Sequence, residues 1–126
     1  MRHVLLSCVI LLLALAFCLF SMLHIRAICE EALDVLALAQ KSAEENNFES
    51  CRVYTARAMR HWQRYERYFG LVLAHEEVDD VLGRFAALTQ YAQLEDRDDF
   101  LAGVAELRFS ISHLREMELP ALENIL

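Results

Sequence analysis

The densest group of side chains able to do chemistry is His75-Glu76-Glu77-Val78-Asp79-Asp80. On a helix, His75 and Asp79 are four residues apart and share one side. If the last two helices form an antiparallel hairpin turning near Asp96, His113 returns to about the height of Asp79. His75, Asp79 and His113 would then converge, and imidazoles with a carboxylate suit a divalent metal or a small polar ligand. Three ligands are few for a helical metal site, and the Glu-x-x-His pair of di-iron bundles is missing. Capping and hydrogen bonding inside the bundle are the competing reading, and no cofactor is expected.

A second group is cationic. Arg52, Arg57, Arg60, Arg64 and Arg67 crowd one segment, and the last four are spaced as one helical face beside Trp62. Such a face can hold lipid phosphates or an acidic partner. It can equally flank Glu76, Glu77, Asp79 and Asp80, or the Glu95 to Asp99 run, as ordinary charges of one bundle do. Nucleophilic catalysis would need a Ser or Cys beside a His, or a Gly-rich turn to cradle phosphate, and neither pattern is present. Around a turn at Asn46, Cys29 lies roughly 25 Å down one helix and Cys51 about 6 Å along the next. Bridged Cα atoms sit within about 7 Å, so no disulfide is expected between them. Trp62, Tyr65, Tyr68 and Phe69 form an aromatic cluster that reads as core packing rather than a cofactor surface.

The elements that must position these groups are helical. Gly occurs only at 70, 83 and 103 and Pro only at 120, too little turn punctuation for a sheet protein. Arg26 to Glu45 has neither, which predicts one unbroken helix entering from the N-terminal side. Asn46-Asn47 stops it, with Asn47 placed to cap the next helix. Phe48, Cys51, Thr55, Ala58, Trp62, Tyr65 and Phe69 then mark one amphipathic face, and Val78, Val81, Phe85, Leu88 and Ala92 a second. The phase slips between them, which predicts a turn or kink near Gly70 to Ala74. Glu95 to Asp99 supplies caps and an acidic first turn for a last helix faced by Phe100, Val104, Leu107, Ile111 and Leu114. That helix is expected to end before Pro120. The fold class is all-α: an N-terminal transmembrane helix continuing into a small antiparallel helical bundle.

The entering segment, Val4 to Ile25, carries no Asp, Glu, Lys or Arg and is bracketed by Arg2 and Arg26. At helical rise it is roughly 33 Å long, against about 30 Å of bilayer hydrocarbon. A cleaved secretory signal is the rival reading, with Met1-Arg2-His3 as its basic start. Ser21 to Ala27 offers no small-x-small exit, and no Cys sits in a lipobox, so a retained anchor over residues 1–26 is favoured. Arg2 and the terminal amine against Arg26 give a weak orientation bias, and the acidic residues from Glu30 onward favour the domain outside. Residues 27–126 suffice for one domain with its own core. Every acidic residue lies there, within a chain of net charge −7, which argues against nucleic acid as a partner.

The order of an N-terminal anchor, Trp62, His75-Glu76 with an acid at Asp79 or Asp80, His113 and a closing Asn124-Ile125-Leu126 resembles a family of short bacterial membrane proteins. That family, associated with spore-forming Gram-positive bacteria, is known only as a domain of unknown function, number 4363. The resemblance spans almost the whole chain, implies a single-pass anchor with a helical domain, and supplies no activity. The resulting expectation is a non-enzymatic module that contacts a protein partner, or its own copy, at the bilayer surface. The competing class is a sensor domain binding a small ligand or metal at His75, Asp79 and His113.

Overall fold

The apolar run Val4 to Ile25 and the segment from Arg26 to Glu44 belong to one helix. In the computed structural model α1 spans Arg2–Glu44 without a break. It is followed by α2 (Phe48–Arg64), α3 (Glu66–Val72), α4 (His75–Gln93) and α5 (Arg97–Ile125). The structure describes the backbone of residues 1–72 and 75–125 and the side chains outside 72–75 and 117–126. Among the described residues there is no strand.

Residues 1–20 of α1 are exposed on every side, and burial begins at Ser21. From there Ile25, Cys29, Ala32, Leu36, Ala39 and Ala43 go inward. Their spacing alternates four and three, the repeat that keeps one seam facing neighbouring helices. Cys51, Thr55, Ala58 and Trp62 continue it on α2, Val78, Val81, Phe85, Leu88 and Ala92 on α4, and Phe100, Val104, Leu107, Ile111 and Leu114 on α5. The helices close a ring in which α1 packs on α2 and α5, and α4 packs on the same two. This is an up-down-up-down bundle with short connections at its far end.

Those two far connections are built alike. Asn46 and Glu95 both adopt the left-handed conformation, with φ of 59° and 54°. After α1, Asn46 N–H donates to Ala43 O and Asn47 N–H to Ser42 O; after α4, Glu95 N–H donates to Ala92 O and Asp96 N–H to Tyr91 O. Each is a Schellman ending that satisfies the last carbonyls of the helix. Each is followed at once by an N-cap, Asn47 Oδ1 accepting from Ser50 N–H and Asp96 Oδ1 from Asp99 N–H, both at 3.2 Å. The caps are 49 residues apart (96 minus 47), and the same shift carries the buried positions of one hairpin onto those of the other. Cys29 falls on Val78, Leu36 on Phe85 and Ala43 on Ala92 before the turn; Cys51 falls on Phe100, Ala58 on Leu107 and Trp62 on Ile111 after it. The bundle is a pair of matching helical hairpins.

Two expectations need correction. The stripe from Phe48 to Phe69 is not one helix, because the chain tightens at Tyr65, whose N–H bonds the carbonyl of Trp62 three residues back. Phe69, seven residues after Trp62, keeps to the same face across this tighter turn, its ring 4.5 Å from that of Trp62. The last helix does not stop before Pro120 but runs to Ile125. Proline removes only one backbone donor there, the one that would have met the carbonyl of Glu116.

The left-handed Glu95 gives a prediction of opposite signs at adjacent positions. Glu95→Gly should raise stability by about 0.5 kcal/mol by relieving the Cβ cost of that conformation. The exposed Arg52–Glu95 pair at 3.7 Å that it removes contributes little. Asp96→Ala should lower stability by about 1 kcal/mol through loss of the cap. Thermal unfolding of the full chain in mild detergent reads both, and a destabilised Glu95→Gly would show that the backbone there is not strained.

Candidate functional site

His75, Asp79 and His113 were expected to converge, and the side chain of His75 lies outside the described residues. Asp79 and His113 are both exposed. His113 stacks on Phe109, with ring centroids 6.2 Å apart and planes 7° from parallel, and lines a shallow α4–α5 groove with Glu76, Glu77 and Asp80. Asp79 points elsewhere on α4, one residue before the groove-lining Asp80. Among the described residues no group of three His, Cys, Asp or Glu is placed to hold a metal ion.

The ion pair that organises this side of the molecule involves a residue the sequence did not single out. Arg84 donates to Asp80 one turn away and to Glu106 across on α5, both at 3.0 Å. The hydrogen bond to Asp80, with the charges of both carboxylates, raises the guanidinium's pKa further. The signal for Asp80 and Arg84 was their four-residue spacing; Glu106 required knowing how α5 lies on α4.

Arg57, Arg60, Arg64 and Arg67 are all exposed, and among the described residues none forms an ion pair. Arg57 lies over the ring of Tyr54, 5.5 Å from its centre. Of the arginines in this segment only Arg52 reaches an acid, Glu95 at the far end of the bundle. Of the α4 carboxylates, Asp80 is engaged by Arg84, and Glu76 and Glu77 line the α4–α5 groove with it. A cationic strip thus runs down α2 and α3 toward the exposed end of α1.

At that end lies an aromatic collar. The ring of His24 meets Tyr65 edge-on at 5.6 Å and Tyr68 at 5.3 Å, and stacks on Phe20 at 5.9 Å. The Tyr68 hydroxyl donates to the carbonyl of Ser21 at 3.4 Å. One turn higher, His61 sits 3.2 Å from the carbonyl of Ile28, a contact that needs the proton on Nε2, and 3.7 Å from Glu31. Trp62 and Phe69 are the core members of the cluster, while Tyr65 and Tyr68 are half-buried at its edge. His24 was overlooked because a histidine inside an apolar run has no periodic partner in sequence.

The buried thiol of Cys51 donates to the carbonyl of Ala39 at 3.5 Å, and burial pushes its pKa up. Such a thiol is a poor nucleophile. No disulfide forms among the described residues.

These features define an all-helical up-down bundle carried on a helix long and apolar enough to cross a membrane, with only 6% of that helix's apolar window buried. Residues 19–125 match the family described as Domain of unknown function (DUF4363), and the chain belongs to it. The match begins two residues before Ser21, where α1 first becomes buried. No curated protein and no solved structure matches the chain.

Because Arg60 and Arg64 form no ion pair among the described residues, replacing both with Gln should change unfolding stability by less than about 0.5 kcal/mol. A loss of 1 kcal/mol or more in thermal unfolding would return the strip to a structural role.

Proposed function

We propose that the chain is a single-pass membrane protein whose bundle is a non-enzymatic interaction module at the bilayer surface, held outside the cytoplasm. The observation that carries this reading is the exposed arm of α1. Val4, Leu5, Leu6, Phe17 and Phe20 are each more than 60% exposed, and only lipid or another apolar surface covers such an arm favourably. The arm and the bundle share one helix, so the module has a fixed attitude to the membrane.

A protein partner is supported by Phe109, 73% exposed on α5. Shallow grooves flank it, one with Arg84 and Glu106, the other with Leu33, Arg108 and Arg115 of the α1–α5 side. An exposed aromatic rimmed by charges is the composition of a contact centre.

The expected result is that the full chain stays in membranes through alkaline carbonate washing. A photocrosslinker at Ser112 should give an adduct of defined mass in native membranes, lost in Phe109→Ser with the helical circular dichroism unchanged. Release by carbonate would sink the anchor, and an adduct indifferent to Phe109→Ser would sink the partner face.

A further inference from the structure

We propose that Arg64 and Arg67 bind the headgroup phosphates of anionic phospholipids at the point where α1 leaves the bilayer. This rests on the membrane-anchored reading above and adds a ligand to it. The α1–α2 register sets the height of every residue. His61 meets Ile28, Tyr65 meets His24, and Tyr68 meets Ser21, so each step down α2 and α3 matches one step down α1. By this register Arg64 lies level with Ile25 and Arg67 with Met22.

The free part of the arm, Val4 to Phe20, is about 25 Å long, short of the roughly 30 Å of hydrocarbon it must cross. The hydrocarbon edge therefore reaches about Leu23, which is 65% exposed. At that height the bundle is already packed on α1, so its lower end lies in the headgroup layer. Three further side chains fit such a place. Tyr65 and Tyr68 sit where aromatic belts form, each with an apolar body and a polar tip. Leu71, 83% exposed and level with Cys18 by the same register, reaches the acyl boundary. Among the described residues Arg64 and Arg67 form no ion pair, and their long stems let the guanidinium groups rise to phosphate, which they can bind bidentately. Arg60 stands about 6 Å and Arg57 about 10 Å further from the bilayer than Arg64.

The test is native mass spectrometry of the full chain released from micelles containing equal phosphatidylglycerol and phosphatidylcholine. Retained phosphatidylglycerol should exceed phosphatidylcholine roughly tenfold. R64Q/R67Q should abolish the preference, while R57Q/R60Q should keep it. Equal retention of the two lipids by the wild-type chain overturns the proposal. So does an equal loss in R57Q/R60Q, which would mark the whole strip as a docking surface for an acidic protein. Displacement of the lipid by millimolar inorganic phosphate would assign the pair to a soluble anion instead. Carbonate release of the wild-type chain would overturn the anchor itself, whereas a carbonate-resistant chain without lipid preference overturns this proposal alone.

Discussion

Everything in this structure depends on α1 being one helix in two environments. Its lower part is apolar on all sides and exposed; its upper part is apolar on one seam and buried there. No Gly or Pro interrupts the transition, so the backbone hydrogen bonds run through it and no hinge separates arm from bundle. The contacts of His61 with Ile28, Tyr65 with His24 and Tyr68 with Ser21 then fix α2 and α3 against the transition itself. A bundle joined by a flexible linker could sample many attitudes. This one inherits the axis of its arm.

The core shows how two similar hairpins make one bundle. The first contributes mostly small side chains, Cys29, Ala32, Ala39, Ala43, Cys51 and Ala58, and the second mostly large ones, Val81, Phe85, Leu88, Phe100, Leu107 and Ile111. Small residues let α1 and α2 approach closely, and the Cys51 thiol reaching the carbonyl of Ala39 on the neighbouring helix records that approach. Large residues from α4 and α5 fill the remaining space, the alternation that dense packing requires. Ile25, Ile28, Leu36, Trp62 and Phe69 are the large side chains of the first half, and Trp62 gathers Phe69 and Phe85 around it at centroid distances of 4.5 and 6.3 Å. Among the described residues its indole N–H and the hydroxyl of Thr55 find no hydrogen-bond partner, a cost accepted where shape outweighs polarity.

Much of this was legible because apolar spacing reports burial directly. The stripes on the second, fourth and fifth helices, the stop at Asn46 and the cap at Asn47 all follow from local chemistry. What failed was decided by tertiary contact. The tightening at Tyr65 leaves Phe69 packed on Trp62, as a continuous helix also would, so nothing in the local sequence distinguishes the two. The left-handed Glu95 is an unfavoured residue for its place, imposed by the hairpin it closes. The 49-residue repeat escaped notice because only Ala43 and Ala92 are identical among the core pairs described above; the repeat lies in burial, not in residue type. For the candidate sites, the spacing of the arginines was readable, but whether acids faced them depended on how α4 sits beside α2. For the expected convergence of His75, Asp79 and His113, the structure shows His113 in a groove with Glu76, Glu77 and Asp80, a choice among neighbouring carboxylates set by the rotation of α4.

The charge distribution has a directional consequence. The chain is net acidic, yet a strip of arginines that form no ion pair among the described residues descends toward the arm, while Glu45, Glu49, Glu95, Asp96, Asp98 and Asp99 gather at the two far turns. Asp99 is raised above the usual aspartate range by its hydrogen bond with Asp96 and the repulsion of Asp96 and Asp98, a sign of how crowded that end is. From Ser21 to Asn46 the helix rises about 37 Å, several screening lengths at physiological ionic strength. A negatively charged surface at the level of Ser21 therefore meets the lower arginines together with Glu66 and the carboxylates that open α4, Glu76, Glu77, Asp79 and Asp80, while the acidic crown is screened from it. A net charge of −7 thus says little about affinity for such a surface; the sign that matters is that of the groups within one screening length of it.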